Sequence, residues 1–409
     1  MTKAGTEDIA GASGSEGRAA MQNAATHPSE FRTALQSELP RMLALLERLV
    51  NTDSGSYDRD GVNRVGTMLA AELAQIGFTI DRRQMPECGD QIVAERKLGG
   101  KGRLLILGHA DTVWPKGMAH EWPFAIAGGR ATGPGVGDMK GGLVMAIFAL
   151  RALLSRGRIE GALESICFFI VPDEELGSIY SRPRIEEVAR DADWTLVLEP
   201  GRPGGGVVTA RGALGAFFMH AHGKSAHCAV NYRQGASAVR ELAAKVPLLD
   251  GLSDPDRGMI VNVGLFRGGA ARQVIPPEAK IDIDLRARST ADADHLLARI
   301  RDIAAEQHDP RVAVELTGRM TRPPFTVAHN RKLFALAQAA ASELGIPLFE
   351  VPPTGGGSDG NFSAAMGIPT IDALGPITTD TCGREESIDI ASLAERGALF
   401  ASIVERLRL

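Results

Sequence analysis

Acidic and histidine side chains gather in four short segments, each of which follows or adjoins an apolar run of the chain. The segments are Gly108-His109-Ala110-Asp111-Thr112, the glycine-rich stretch 133–142 around Asp138, Asp173-Glu174-Glu175, and Leu198-Glu199-Pro200. Carboxylates at the ends of hydrophobic strands are costly unless they are paired or bind a cation. Imidazole and carboxylate groups are common ligands of divalent metals. These residue types at these places therefore indicate a metal cluster.

Each segment also has a simpler interpretation when it is taken alone. A strand-end pair such as His109 and Asp111 is more often structural, although the two side chains point to the same side of a strand. A Glu-Glu pair is usually a solvated face. The stretch 133–142 could be taken for a phosphate loop, but it lacks the Gly-Lys-Ser/Thr ending, and Asp138 would repel phosphate. The four segments together, in this order, are a much stronger signal than any one of them.

The elements that must position these residues alternate between strand and helix. Residues 103–108, 165–171 and 194–198 have the character of buried strands, and residues 140–155 that of an amphipathic helix. Such alternation predicts an α/β sheet, and the ends of its strands converge on one crevice.

The pattern of elements changes between residues 212 and 322, where the predicted order is β-α-β-β-α-β, the ferredoxin-like unit. We therefore predict an α/β fold with two domains. A mixed-sheet catalytic domain consists of residues 31–211 and 323–409, and an α+β dimerisation (lid) domain is inserted at residues 212–322. Residues 1–30 are rich in small and polar residues without a hydrophobic period, which predicts a disordered tail. A short helix that packs on a partner subunit is the alternative.

Composition narrows the class of protein further. The 409 residues are 44% hydrophobic and carry a formal charge of −5, which argues against a nucleic-acid binder. Neither a membrane-spanning apolar run nor a secretory signal is recognisable. The four cysteines lie far apart without a C-x-x-C pair, which argues against a disulfide scaffold or a zinc finger. These features predict a cytoplasmic, multi-domain enzyme that acts on neither nucleic acid nor membrane.

The ordered motifs H-x-D, G-D-x-K-G-G, D-E-E and E-P resemble those of the M20 metallopeptidases, and most closely their glutamate carboxypeptidase (carboxypeptidase G2-like) branch. The resemblance extends over nearly everything after residue 35. It implies two divalent metals, usually zinc, bridged by one carboxylate and one water. It further implies that His109 and Glu199 hold one metal, that Asp138 bridges, and that Glu175 binds the second metal.

The same resemblance implies the catalytic roles. Glu174 would be the general base that takes a proton from metal-bound water and delivers it to the leaving nitrogen. Asp111 would fix the tautomer of His109 through a hydrogen bond. His227, in Gly223-Lys-Ser-Ala-His227, would reach across the interface of a homodimer, or of a higher homo-oligomer, and polarise the substrate carbonyl. A surface histidine that follows a strand is the alternative for His227.

Further matching segments imply contacts with a small carboxylate-bearing substrate. Gln273 stands where the family usually has asparagine. Arg286 and Arg322 match arginine positions linked to carboxylate binding or domain closure, and guanidinium suits a planar carboxylate. An exposed strand arginine is the simpler interpretation of Arg286. Gly356 and Ser358 belong to a glycine-rich segment whose backbone N–H groups could bind an anion.

One position departs from the family pattern, because Cys382 falls where the last metal-ligating histidine belongs. No histidine follows His329 in the chain. Three outcomes are open: Cys382 ligates as a thiolate, Asp380 or another oxygen substitutes, or the second site is weak or absent. We favour the last outcome, which leaves one metal on His109, Asp138 and Glu199. Such a site does not choose sharply among Zn, Mn and Co, so we expect one or two of these ions per chain.

These observations leave three functions open. The first is a metal-dependent hydrolase that cleaves the amide bond of a small carboxylate, such as an N-acyl amino acid or a C-terminal glutamate. The second is an aminohydrolase that releases ammonia from a non-peptide aryl amine, as in 5-nitroanthranilate. The third is an inactive M20-like binding protein, which the altered Cys382 favours and the intact Glu174 opposes.

Overall fold

The computed structural model of the chain describes residues 15–353 and 355–408. The α-helices in that part of the chain are α1 (Ser15–Val50), α2 (Arg59–Gln75), α3 (Met118–Glu121), α4 (Gly142–Leu154), α5 (Arg182–Ala189), α6 (Ala238–Asp250), α7 (Thr290–Ala305), α8 (Val327–Leu344), α9 (Gly360–Ala365) and α10 (Ile390–Arg406). The strands are β1 (Thr79–Arg83), β2 (Gln91–Lys97), β3 (Arg103–His109), β4 (Ala125–Ala127), β5 (Arg130–Thr132), β6 (Ser165–Val171), β7 (Trp194–Val197), β8 (Gly206–Val207), β9 (Ala213–His222), β10 (Ala226–His227), β11 (Ile260–Gly268), β12 (Val274–Ile275), β13 (Glu278–Ala287), β14 (Ala313–Arg322), β15 (Phe349–Glu350), β16 (Thr370–Ile371), β17 (Thr378–Thr379) and β18 (Ser387–Asp389).

A six-stranded mixed sheet in the order β1-β2-β6-β3-β7-β16 forms the centre of the molecule. The strands β6, β3, β7 and β16 run parallel to one another, whereas β2 is antiparallel to β6, and β1 at the edge is antiparallel to β2. Both faces of the inner strands are covered, because β3 sends Leu104 and Ile106 into one apolar cluster and Leu105 and Leu107 into another. Helices α1, α2, α4, α8 and α10 contribute to the first cluster, and α5 and α9 to the second. The apolar segments that the sequence predicts to be buried strands therefore form the parallel part of the central sheet.

A second sheet of four antiparallel strands, in the order β11-β13-β9-β14, lies within residues 213–322. In chain order these strands alternate with α6 and α7 as β-α-β-β-α-β, which is the ferredoxin-like arrangement. Along β9, the buried residues Phe217, Met219 and Ala221 belong to an apolar cluster shared with the two helices, while His220 and His222 alternate to the other face. The fold class is thus confirmed as a mixed α/β fold with an inserted lid. The predicted domain boundaries remain our interpretation.

The prediction of a disordered tail needs a correction. Residues 1–14 lie outside the described residues, but α1 begins at Ser15, so residues 15–30 have helical backbone. The sequence reason is that Ala19, Ala20, Met21 and Gln22 are good helix formers. These residues have no hydrophobic period. They do not need one to be helical, because they extend a helix that is anchored by the buried Phe31 and Leu35.

Among the helices that the structure describes, none combines the length and the apolar character needed to cross a bilayer.

Candidate metal centre

The predicted metal and base residues meet at the carboxyl ends of three neighbouring parallel strands. His109 is the last residue of β3, Glu174 and Glu175 follow β6, and Glu199 follows β7. Asp138 joins them from the turn that precedes α4. Parallel strands in adjacent positions bring their carboxyl ends to one edge of the sheet, which explains why residues 90 positions apart share one site.

His109 lies at the centre of the cluster and is almost fully buried. Its Nδ1 is 2.9 Å from the backbone oxygen of Asp111 and 3.4 Å from the carboxylate of the same residue. Its Nε2 is 3.1 Å from Oδ1 of Asp138 and 3.9 Å from Oε1 of Glu199. A proton on Nδ1 therefore satisfies Asp111 and leaves the Nε2 lone pair directed at the carboxylates, which is the tautomer a metal ligand needs.

Asp111 connects His109 to the segment that carries the two glutamates. The backbone N–H groups of Glu174 and Glu175 each donate to a different oxygen of the Asp111 carboxylate, at 3.1 Å. Ser56 Oγ donates to the same carboxylate at 2.8 Å. Asp111 thus holds the imidazole and the base-bearing turn in one frame, in keeping with the positioning role predicted for it.

The Asp138 carboxylate stands between two possible ligands. Its Oδ1 faces His109, and its Oδ2 is 3.4 Å from Sγ of Cys382. Cys382 and Asp138 are also connected through Glu386, whose carboxylate accepts from the backbone N–H groups of both. Asp380, the alternative oxygen ligand, is exposed and its carboxylate accepts from the N–H of Glu385.

The charges of the cluster favour a bound cation. Burial, together with the nearby charge of Asp138, raises the pKa of Glu175 to about 9 and that of Glu199 well above its ordinary value. Burial would also raise the pKa of Asp138, but the hydrogen bond and charge of His109 outweigh it and lower that pKa. Burial lowers the pKa of His109, and the hydrogen bonds and charges of Asp111 and Asp138 more than reverse this. One imidazole thus faces several buried carboxyl groups.

The donor set also fits a divalent metal on geometric grounds. Ligand atoms of His109, Asp138 and Glu175 lie within 4.8 Å of one another, and so do those of His109, Glu174 and Glu199. Oε1 of Glu175 is buried and has no hydrogen-bond partner among the described residues. An orphaned carboxylate oxygen beside an imidazole and another carboxylate is the arrangement that a metal ion would satisfy.

Arg322, the last residue of β14, contacts groups of the catalytic core rather than a free space for substrate. It is 3% exposed, and its guanidinium lies 2.8 Å from Oε1 of Glu174 and 3.2 Å from Oδ1 of Asp359. The same side chain donates to Ser178 Oγ and to the backbone oxygen of Gly177. Direct binding of a substrate carboxylate would require these contacts to break, whereas domain closure, the other role considered for Arg322, is compatible with them.

The other predicted substrate residues, Arg286, Ser358 and Gly356, have different hydrogen-bond partners in the structure. Arg286 forms a two-pronged ion pair with Asp284 and donates to the backbone oxygen of Gly355 at 2.7 Å. Ser358 is fully buried and its hydroxyl donates to Asp372, so its role as a substrate contact stays a prediction. The backbone oxygen of Gly356 accepts from Arg211.

His227 and Gln273 are brought together by the short ladder of β10 and β12. His227 pairs with Val274, and Gln273 accepts through its backbone oxygen from the N–H of Cys228. Both residues are exposed. Nδ1 of His227 faces the N–H groups of Ala229 and Val230 in its own turn. Among the described residues it has no contact with the metal cluster, and its role across a subunit interface stays a prediction.

Sequence reasoning missed three supporting residues. Ser56, which donates to Asp111, lies in a loop without any recognisable motif. Glu386 is part of the C-terminal stretch compared with the family, and its three backbone bonds became visible only in the folded chain. Asp359, which pairs with Arg322, lies in the glycine-rich segment. Its partner is 37 positions away in the chain, so no local pattern indicates the ion pair.

A cleft of about 550 Å³ opens beside the cluster. Glu175 forms part of its lining, together with the largely exposed Tyr57 and the apolar residues Val113, Trp114 and Leu176. Lys116 lies at its rim in an ion pair with Asp58. The site therefore combines a charged floor with one apolar wall.

Comparison with known proteins places these features in context. The profile of Peptidase family M20/M25/M40 matches residues 105–406. Carboxypeptidase G2 of Pseudomonas sp. (strain RS-16) is 30% identical over 377 residues, which cover 91% of this chain and 90% of that protein. A tripeptidase structure from Staphylococcus aureus superposes with a TM-score of 0.74 at 21% identity, covering 90% of this chain and 99% of the other. The Bacillus subtilis YXEP protein, a dinuclear metal-binding peptidase, superposes with a TM-score of 0.64 at 15% identity, covering 90% and 98%.

Proposed function

The chain belongs to peptidase family M20/M25/M40 and is a metal-dependent hydrolase of C–N bonds, and on that basis we propose that it cleaves the amide bond of a small carboxylate-bearing substrate with Glu174 as general base. The single observation that carries the proposal is the cluster in which His109 lies close to Asp138 and Glu175 and also to Glu174 and Glu199. The unpartnered oxygen of Glu175 supports metal binding by this group.

The residues of the chain would divide the work as follows. A divalent ion held by His109, Asp138 and Glu199 would acidify a water and polarise the carbonyl under attack. Glu174 takes the proton of the attacking water and returns it to the leaving nitrogen, a task that suits a carboxylate beside the metal. Arg322 holds Glu174 in position through its 2.8 Å ion pair. Asp111 keeps the proton of His109 on Nδ1.

The walls of the site support the substrate class. The apolar side of the cleft, with Tyr57 and Trp114, suits an acyl or aryl group, which gains from burial. We propose that a substrate carboxylate is met by Arg286 and by the backbone near Gly356, since the guanidinium of Arg286 remains about one-third exposed despite its pair with Asp284. Carboxypeptidase G2, at 30% identity, supports an amino acid as the leaving group.

Cys382 supports a weak second metal site. Burial and the carboxylates around it raise the pKa of the Cys382 thiol, which donates to Asp138, so a second ion would have to displace the thiol proton before Cys382 could ligate it. A second ion would then depend mainly on Asp138 and Glu175. We therefore propose one firmly held ion and a second of lower affinity, from among Zn, Mn and Co.

The altered Cys382 also favours a second candidate function, hydrolytic release of ammonia from an aryl amine with a neighbouring carboxylate, such as a 5-nitroanthranilate-like compound. The apolar wall would accept an aryl ring as well as an acyl group. A single metal and one general base suffice for attack of water on an electron-poor ring carbon.

One substrate screen tests the proposal and separates the two candidates. The full-length protein is incubated with N-acyl amino acids and folyl-glutamates, and separately with anthranilate derivatives, each with and without EDTA. We expect a free amino acid to appear, and EDTA to suppress it. Ammonia without a second amino-acid product would identify the aminohydrolase, and the absence of metal-dependent turnover on every substrate would contradict both candidates.

We also propose a homodimer, in which His227 of each subunit completes the site of its partner. His227 is exposed and therefore accessible to a partner subunit, which supports a role in trans. The cytoplasmic location remains a proposal based on composition.

A further inference from the structure

We propose that the inserted lid carries a separate binding site for a divalent transition metal, formed by His220, His222 and Glu278. Ligand atoms of these three side chains lie within 4.8 Å of one another. Nε2 of His220 is 2.9 Å, and Nδ1 of His222 is 3.0 Å, from the same oxygen Oε2 of Glu278. The site goes beyond the catalytic cluster and does not depend on it.

The register of the sheet explains why the three side chains meet. His220 and His222 are two residues apart on β9, so both project from the same face, and their rings are 4.1 Å apart. Glu278, the first residue of β13, is directly opposite His222. The face is the one turned away from α6 and α7, because the intervening Met219 and Ala221 belong to the cluster packed on those helices. The ligands are therefore fixed by backbone pairing and open to solvent.

The chemistry of the group suits zinc better than an alkaline-earth ion. Two neutral imidazoles and one carboxylate are ligands preferred by Zn²⁺ and by its neighbours Ni²⁺ and Cu²⁺. A tetrahedral ion with bonds of about 2.0–2.1 Å needs donor atoms roughly 3.3–3.5 Å apart, so the two contacts to Glu278 require only a small opening. An adjoining hollow of about 370 Å³, lined in part by His220 and Glu278, leaves room for water as the remaining ligand.

The surrounding charges do not oppose a cation. Lys280 is opposite His220 in the register, but its Nζ lies 4.6 Å from the centre of the Phe218 ring and 3.5 Å from Asp282. Arg267, which also lines the hollow, faces Asp282 at 3.6 Å. On the other side of β9, Glu315 of β14 is directly opposite His220 and adds a second carboxylate to this face.

The site is remote from the catalytic cluster. Arg322, which contacts Glu174, pairs with Leu214 near the start of β9, whereas His222 is its last residue. Eight residues of extended strand span about 26 Å. An ion here would join β9 to β13 without touching the groups that act on the substrate, so its loss is expected to leave turnover unchanged.

Zinc stoichiometry of the full-length protein tests the proposal. Wild type, the double variant His220→Gln/His222→Gln, and the matched control His295→Gln/His308→Gln are stripped with chelator, dialysed against micromolar Zn²⁺ alone, and analysed for metal. The control removes two other exposed histidines of the lid. We expect the first variant to bind one Zn²⁺ per chain fewer than wild type and the control, with unchanged turnover.

Equal zinc content in all three proteins would overturn the site and would mean that Glu278 merely pairs with the histidines. A second variant, Glu278→Gln, keeps both imidazoles and should weaken binding of the extra Zn²⁺ at least tenfold. If Glu278→Gln binds that ion as tightly as wild type, the proposed three-ligand site is wrong. Neither result bears on the catalytic proposal, because the catalytic residues are unchanged in every variant.

Discussion

At the scale of single residues, the Asp138 carboxylate determines how many metals the centre can hold. One oxygen faces His109 and the other faces Cys382, so the carboxylate has an imidazole on one side and a cysteine sulfur on the other. The same carboxylate would serve two ions equally only if both sides offered a good neutral or anionic donor. Cys382 is therefore the residue on which the second metal depends.

Replacing Cys382 with histidine should strengthen the second metal site. An imidazole binds without having to lose a proton of raised pKa, so metal content after dialysis is expected to rise by about one ion per chain relative to the wild type. Elemental analysis of the reconstituted protein measures the change. Cys228→His, at another exposed cysteine, is the control and should leave the content unaltered. Two ions per chain in the His220→Gln/His222→Gln background, which lacks the proposed lid site, would contradict the weak second site if both survive Cys382→Ala.

The sequence sufficed to predict the positions of the acidic and histidine residues, because strand ends and motif order fix which carboxylates converge. It did not predict what their neighbours do. Arg322 reads as a carboxylate binder from its position in a motif, yet its partner Glu174 is 148 positions away in the chain. Ser358 is similarly predicted from its loop to contact the substrate, and only the fold reveals that its hydroxyl donates a hydrogen bond to Asp372.

At the scale of elements, β14 of the lid sheet connects to the base through its last residue. Arg322→Lys removes the guanidinium whose Nη2 contacts both Glu174 and Asp359 while its Nη1 donates to Gly177, so kcat should fall by about tenfold to a hundredfold while KM stays within about twofold. Steady-state kinetics at matched metal content provide the test. Arg319→Lys, three residues earlier on the same strand and exposed, is the control.

The division between kcat and KM distinguishes the two roles considered for Arg322. A residue that binds the substrate carboxylate directly would raise KM when it is shortened. A large increase in KM with unchanged kcat in Arg322→Lys would therefore restore the role suggested by the sequence and refute positioning of Glu174.

The turn before α4 contains a buried lysine whose ionisation should affect stability. Nζ of Lys140 donates to the backbone oxygens of Thr52 and Pro134, and burial, only partly offset by Glu386 and Asp53, lowers its pKa to about 7. The unfolded chain keeps this lysine protonated up to about pH 10.4, so unfolding takes up a proton above pH 7. The contribution of Lys140 to stability therefore rises as pH increases from about 7 to about 10.

Lys140→Met should remove that pH dependence. We expect the difference in thermal midpoint between wild type and Lys140→Met to shift in favour of the wild type between pH 7 and pH 10. Lys116→Met, at an exposed lysine, should show no comparable trend. A wild-type minus Lys140→Met difference that stays constant over the whole range would be inconsistent with a neutral buried lysine.

The prediction of helices and strands succeeded where a segment was strongly apolar. Strands β3 and β6 were anticipated to within a residue because continuous apolar runs must be buried on both faces of a parallel sheet. The prediction failed at α1, where helical backbone extends through a polar, alanine-containing segment that has no apolar stripe to indicate it. Short ladders such as β10 with β12 could not be predicted either, because a strand of two residues is too short to show a hydrophobic period.

At the scale of the whole molecule, the proposed homodimer makes each active site a product of two chains. His227→Gln and Glu174→Gln should each be nearly inactive alone, for different reasons. When the two are unfolded and refolded together, random pairing gives mixed dimers with one intact site, and activity should return to about a quarter of the wild-type level. Activity assays on the mixture test this, with each variant refolded alone as the control. No recovery from the mixture would contradict a shared site.

The presence of an inserted lid could be predicted from the sequence because the order of elements changes from alternating α/β to β-α-β-β-α-β. The relation between the domains could not, since the contact of Arg322 with Glu174 depends on how the lid sheet meets the catalytic core. The His220, His222 and Glu278 group likewise depends on a cross-strand register that no single segment reveals.

The central claim is that Glu174 is the general base of a metal-dependent amide hydrolase, and the turnover of Glu174→Gln at full metal content tests it most directly. Hydrolysis of an N-acyl amino acid is measured for wild type and variant after their metal contents have been shown to be equal. Loss of the base should lower kcat by about a hundredfold to ten-thousandfold, because proton transfer contributes that much. Wild-type turnover by a fully metallated Glu174→Gln protein would contradict the account.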